Sequence, residues 1–147
     1  STLTRLIEMG AKDYLVSSTL MGVISQRLVR HLCADCKEEY YPSHEEAAQI
    51  FNDEEDIQKL MQTKLYRAKG CGQCDMTGYK GRMGVYEILP ISKEIRKLIS
   101  QGAHDIEIED AAIATGMKTL SQSCLNHILN GETTISEYVR VLGLTNE

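Results

Sequence analysis

The chain has 147 residues, 42% of them hydrophobic and 25% charged, and a formal net charge of -5. That length holds one ordinary domain or two small ones, and the acidic balance speaks against a nucleic-acid binder that works by neutralising phosphates. No apolar run approaches the roughly 20 residues that span a bilayer and no signal-peptide pattern is present, so neither a membrane span nor export is expected.

Trp is absent and Phe occurs once, so the core has to be aliphatic. The chain opens at Ser1 without Met and already in a helical pattern, as expected of a piece cut from a longer protein. Leu3, Leu6 and Ile7 fall at helical spacing, and Gly10 can stop that helix. A second apolar stretch runs from Asp13 to Gly22. From Val23 to Leu32 the clustering of β-branched residues favours a strand over a continued helix.

Residues 33–78 contain two Cys-x-x-Cys pairs, Cys33 with Cys36 and Cys71 with Cys74. Between the pairs, Ser43 with Glu46 forms a capping-box pattern that opens a short helix through Phe51. Asp56 to Met61 is expected to form another, and Tyr66 to Lys69 a short strand. Glu45, Glu46, Asp53, Glu54, Glu55 and Asp56 make this stretch acidic and read as a solvated face.

Val85 to Leu89 carries a strand signal whose start is loosened by Gly78, Gly81 and Gly84 and which Pro90 is expected to end. Four helices follow, each running from a cap to a glycine. Ser92 opens the first, with Ile95, Leu98 and Ile99 inward and Gly102 as its stop. Asp105 opens the second, with Ile108, Ala111 and Ala112 inward up to Gly116. Thr119 with Gln122 caps the third, whose stripe is Leu120, Cys124, Ile128 and Leu129, before Gly131. Thr134 with Glu137 caps the fourth, whose stripe is Ile135, Tyr138, Val139 and Leu142, before Gly143. Together they predict a small helical bundle.

Two Cys-x-x-Cys knuckles can bring four thiolates to one tetrahedron. Zn²⁺ favours that set in a structural site, because four sulfurs leave no open position. Cys33, Cys36, Cys71 and Cys74 are therefore the expected metal ligands. Iron in the same sulfurs is the rival metal, and disulfides or unliganded thiols are the remaining alternatives. Cys124, on an inward helical stripe, is expected to be a buried structural thiol. His31 stands two residues before Cys33, but four cysteines already fill the shell; it reads with His44, His104 and His127 as a surface or helix-end histidine. No Gly-x-x-x-x-Gly-Lys-Ser/Thr phosphate loop, Gly-x-Ser-x-Gly elbow or His-Glu-x-x-His helix is present, so no catalytic residue is assigned.

The segment Ser25-Gln26-Arg27-Leu28-Val29-Arg30 leads into the first knuckle, and Leu65-Tyr66-Arg67-Ala68 precedes Gly70-Cys71. Thr77-Gly78-Tyr79-x-Gly81-Arg82-x-Gly84-Val85-Tyr86-Glu87 follows the second knuckle. With Gly116-Met117-x-Thr119-Leu120 and Gly131-x-Thr133-Thr134, this order of motifs closely resembles the C-terminal part of the secretion ATPases, the hexameric motors of bacterial type II secretion and type IV pilus assembly. The tetracysteine insert places the resemblance in the assembly and secretion branch rather than the retraction branch.

The resemblance implies an α+β fold in which residues 1–32 end a RecA-like α/β ATPase core. Residues 33–78 would be the zinc-binding insert, 79–90 a strand returning to the core, and 91–147 a C-terminal helical subdomain. It implies Mg-ATP bound by the parent protein through motifs upstream of Ser1, a homo-hexamer, and action on an inner-membrane platform protein from the cytoplasmic face of that membrane. This piece alone is expected to be inactive. Arginines of the family serve nucleotide sensing or subunit contacts. By that resemblance Arg82 is the foremost such residue here, with Arg27 and Gln26 behind it; an ion pair of Arg82 with a residue such as Glu87 is the plainer alternative. A stand-alone zinc ribbon that binds nucleic acid is the rival reading, opposed by the acidity and by the lack of an aromatic, basic face. A chaperone-like zinc domain is another, opposed by too few knuckles.

Overall fold

The structure is a computed structural model that describes residues 20–114 and 116–143. The predicted helix ending at Gly10, and the apolar stretch from Asp13 as far as residue 19, lie outside the described residues.

Strand β1 spans Leu20–Leu32 and begins earlier than the β-branched cluster at Val23 suggested. It pairs with β4, Tyr79–Ile91. Thus β4 starts well before Val85, and Pro90 does not end it. A two-stranded sheet leaves each strand an unpaired edge, where a residue without an N–H is tolerated.

Between β1 and β4 the chain makes one long excursion. It consists of β2 (Glu38–Tyr40), α1 (His44–Ala48), α2 (Glu54–Met61), β3 (Leu65–Arg67) and a 3₁₀ turn (Gly72–Cys74). Strands β2 and β3 are antiparallel, with Glu38 opposite Arg67 and Tyr40 opposite Leu65. β2 carries no strand signal of its own, because Glu-Glu-Tyr has neither alternation nor branched residues. Cross-strand contacts hold it instead: Glu38 with Arg67 at 3.7 Å, Glu39 with Lys64 at 3.5 Å, and the Arg67 guanidinium 5.0 Å over the Tyr40 ring.

The Ser43 capping box is present in both directions: the Glu46 N–H donates to Ser43 Oγ at 3.1 Å, and the Ser43 N–H to Glu46 Oε1 at 3.4 Å. The helix it opens stops at Ala48, short of Phe51. Helix α2 starts at Glu54, two residues before the predicted Asp56. Its acidic first turn suits the positive end of the helix dipole. β3 likewise starts earlier than predicted, at the fully buried Leu65.

The four helices expected after Pro90 are α3 (Lys93–Ser100), α4 (Asp105–Ala114), α5 (Leu120–Leu129) and α6 (Ile135–Leu142). Ser92 Oγ accepts the Ile95 N–H, and Thr134 Oγ1 the Glu137 N–H, as the caps predict.

The chain divides into two compact units, and the helices are shared between them. One contains residues up to 26 and 86–120. Its core is Leu89, Ile95, Ile108, Ala112 and Met117, with Leu98, Ile99 and Ala111 packed against it. Ile106 and Ile113 lie on the open side of α4. The other unit contains residues 27–85 and those from 121 onward. It buries Val29, Leu32, Leu65, Val85, Cys124, Ile128, Ile135, Tyr138 and Leu142. Leu129, expected inward, is 44% exposed. Cys124 and Ile128, four residues apart, set the buried line of α5, and the next position turns off that face.

Candidate metal centre

Cys33 follows directly on β1, and its N–H donates to the Gly78 carbonyl at 2.9 Å, which ties the first knuckle to the end of the second. Cys71 opens the 3₁₀ turn and Cys74 closes it. The four sulfurs of Cys33, Cys36, Cys71 and Cys74 all lie within 4.8 Å of one another. Three of the spacings, Cys33–Cys71, Cys36–Cys74 and Cys71–Cys74, are 3.8 Å. A tetrahedron with metal–sulfur distances of about 2.3 Å has edges of about 3.8 Å. The donor set therefore fits a thiolate-loving tetrahedral ion in both chemistry and size. All five cysteines are free thiols in the structure.

Backbone amides surround the sulfurs. The Gly78 and Cys71 N–H groups donate to Cys74 Sγ at 3.1 and 3.2 Å, and the Gly70 N–H to Cys36 Sγ at 3.4 Å. Such donors favour thiolate over thiol and fix the direction from which each sulfur binds. Burial pushes the Cys74 thiol up, but the Cys71 and Gly78 amides outweigh it and hold the thiol down to about 6. Burial, with the neighbouring thiols, pushes Cys36 up to about 11. Four clustered thiols cannot all ionise without a cation among them, and that is the charge an ion would supply.

The turn that aims these amides is locally strained. Asp75 and Met76 are left-handed, with φ of 54° and 66°. Gly78 has φ of 84°, and a Cβ there would sit 2.4 Å from Ala68 Cβ. Gly78→Ala is therefore expected to lower stability by about 2 kcal/mol or more, through strain plus the clash. Gly72→Ala, whose Cβ would meet nothing within 4 Å, is expected to stay within about 0.5 kcal/mol of the parent. Thermal melts of the metal-loaded pair decide it; equal melting temperatures would remove the role given to Gly78.

The other candidate residues fall elsewhere. Cys124 is fully buried, and burial with the nearby Glu137 charge pushes its thiol up to about 12, so it stays a neutral apolar group. His31 Nδ1 lies 2.8 Å from the Leu32 carbonyl, and His31 is not one of the four clustered residues. Arg27 is exposed on β1. Arg82 is exposed on β4 and forms no ion pair with Glu87 or any other described residue.

The least expected residue is Glu137. Its pairing with Thr134 suggested a capping box, and only half of that box forms. The carboxylate is fully buried and turned to two arginines instead. Arg30 reaches it through its backbone N–H at 2.6 Å and its Nε at 3.1 Å; Arg140 reaches it through Nε at 2.6 Å and Nη2 at 2.9 Å. Lys37, next to the first knuckle, donates to the Gly131 carbonyl at 2.9 Å and sits 4.4 Å over the Tyr66 ring. Tyr79 Oη bonds Thr134 Oγ1 at 2.8 Å. Lys37 of the insert, and Arg30 and Tyr79 on the strands that flank it, are thus fastened by polar anchors to the α5–α6 turn and to α6. Sequence spacing cannot show these, because the partners of Arg30, Lys37 and Tyr79 lie 107, 94 and 55 residues away.

The family model described as Type II/IV secretion system protein matches residues 1–140. The chain is similar to the type IV pilus assembly ATPase PilB of Thermus thermophilus, at 42% identity over 92% of this chain and 15% of that protein. It is similar to the type II secretion system ATPase E of Vibrio cholerae, at 38% identity over 94% of this chain and 26% of that protein. A type II secretion system protein E of Pseudomonas aeruginosa is 36% identical over 95% of this chain and 26% of its own length. The chain thus spans about a quarter or less of the relatives it matches. Among the described residues no helix is long and apolar enough to cross a membrane. With a mixed α/β structure and a four-cysteine cluster able to hold a metal ion, the chain belongs to the Type II/IV secretion system protein family.

Proposed function

We propose that this chain is the C-terminal part of a hexameric motor ATPase that powers type IV pilus assembly or type II secretion. In this reading residues 1–32 and 79–90 belong to the RecA-like core, 33–78 form a zinc-pinned insert, and 91–147 form the helical subdomain. Mg-ATP binds in the parent protein outside this segment. The motor works at the cytoplasmic face of the inner membrane against a platform protein. The observation that carries the reading is the tetrahedral spacing of four sulfurs in a chain of this family.

Zn²⁺, when bound, supplies the positive charge that lets four thiolates sit side by side, and it performs no chemistry. Cys33, Cys36, Cys71 and Cys74 hold it. The amides of Gly70, Cys71 and Gly78 orient the sulfurs, and Lys37, Tyr66 and Tyr79 pass that rigidity to α5 and α6. Arg82, exposed on β4, serves the nucleotide or subunit contacts of the assembled motor, with Arg27 of β1 as the second candidate. Deleting residues 37–70 from the full-length motor tests the insert. Lost secretion or piliation with the hexamer and ATP turnover intact supports a partner-contact element; loss of the folded protein supports a purely stapling one. Unchanged assembly and ATP turnover in both this deletion and Arg82→Ala would reject the reading.

A further inference from the structure

Near the start of β4 lies an open groove of about 600 Å³ lined by Arg30, Thr77, Tyr79, Gly81, Arg82 and Arg140. Three of these six residues carry guanidinium groups, and none carries a carboxylate. Glu137 beneath them is the one acidic group bonded to this set among the described residues, and it offsets a single charge. Arg30 and Arg140 spend Nε and Nη2 on it, leaving Nη1 on each for another acceptor. Arg82 has no ion-pair partner among the described residues, is exposed, and adds a whole guanidinium fork.

The neutral residues fit the same use. Gly81 has φ of 82°, and a Cβ there would meet nothing within 4 Å, so the backbone lies open on the groove. The Arg30 guanidinium lies 4.0 Å over the Tyr79 ring, which fixes its plane and occupies that ring face. A flat base has no free stacking surface on that face, whereas a compact oxyanion has the Arg82 fork and the Nη1 groups of Arg30 and Arg140 to bind. Guanidinium forks match phosphate oxygens in pairs, and a double negative charge is what the uncompensated excess calls for.

We infer that this groove binds a phosphate group, presented either as a free phosphate or as a lipid headgroup, with Arg82 as the main ligand and Arg30 and Arg140 as fixed supports. The inference rests on the groove alone and holds whether or not the chain serves a secretion motor. Arg30 and Arg140 are locked by Glu137 before any anion arrives, so little side-chain freedom is lost on binding.

The test uses the metal-loaded chain. Inorganic phosphate and pyrophosphate are titrated by calorimetry, and flotation is measured with phosphatidylglycerol vesicles against phosphatidylcholine vesicles. Saturable binding is expected that weakens about tenfold in Arg82→Ala, the loss of one charge-assisted fork, and falls with added salt. Arg67→Ala removes an exposed arginine that lies outside the groove and pairs with Glu38; it is expected to leave phosphate and vesicle binding unchanged. Binding of soluble phosphates assigns a free phosphate, and binding of anionic vesicles alone assigns a headgroup. No saturable binding to any of these probes, or equal losses in Arg82→Ala and Arg67→Ala, would overturn the inference. So would binding confined to a poly-glutamate peptide, which would make the groove a seat for an acidic protein surface.

Discussion

Cys74→Ser is expected to release the metal and unfold residues 33–78, the largest effect of any single substitution in the chain. Cys74 Sγ receives two backbone N–H bonds and lies 3.8 Å from both Cys36 Sγ and Cys71 Sγ, so it is the most heavily held corner of the cluster. A serine hydroxyl does not ionise in this range and is a poor partner for an ion that selects thiolate. The free energy at stake is bounded by that of a structural zinc, about 10–16 kcal/mol in zinc-finger peptides near pH 7. The insert has little else to replace it: a three-residue strand pair, helices of five and eight residues, and several exposed ion pairs worth about 0–1 kcal/mol each. Native mass spectrometry with a thermal melt checks it. Cys124→Ser is the control, expected to cost about 1–3 kcal/mol for a buried hydroxyl while keeping the metal. A Cys74→Ser chain with unchanged metal content and melting temperature would contradict the assignment.

The second large effect is expected at Glu137. Removing one member of a buried charge cluster leaves the others uncompensated, and Glu137→Ala is expected to cost about 3–5 kcal/mol at neutral pH. Burial pushes this carboxyl up, but hydrogen bonds from Arg140 and Arg30 outweigh it and hold it down to about 2. The folded value lies below the ordinary value of about 4.3 for an unfolded glutamate. Its contribution is therefore fully present above that pH and is lost as pH falls towards 2. Urea melts of parent and Glu137→Ala should differ most near pH 7, begin to converge below about pH 4, and approach each other as pH nears 2. A difference that does not change between pH 7 and pH 3 would mean that charge is not what Glu137 contributes.

Much of the site was legible in the sequence, because Cys-x-x-Cys spacing is local. Two cysteines three residues apart can already supply one edge of the tetrahedron, and only the meeting of the two pairs required the fold. Helix caps were legible for the same reason, as at Ser43, Ser92 and Thr134. Strand ends were not. β4 runs through glycines and Pro90 because its pairing with β1 overrides local propensity. Strand β2 exists only through its partner β3. The Arg30–Glu137–Arg140 cluster was invisible, since a helical Glu at N3 looks like half of a capping box until a strand supplies an arginine opposite it.

Hydrogen exchange on the metal-loaded chain, repeated after chelation, tests most directly whether the four cysteines hold the insert in shape. Residues 33–78 should lose most of their protection on chelation, while α3 and α4 keep theirs. Equal protection of 33–78 with and without metal would contradict the assignment of Cys33, Cys36, Cys71 and Cys74 as a structural metal centre.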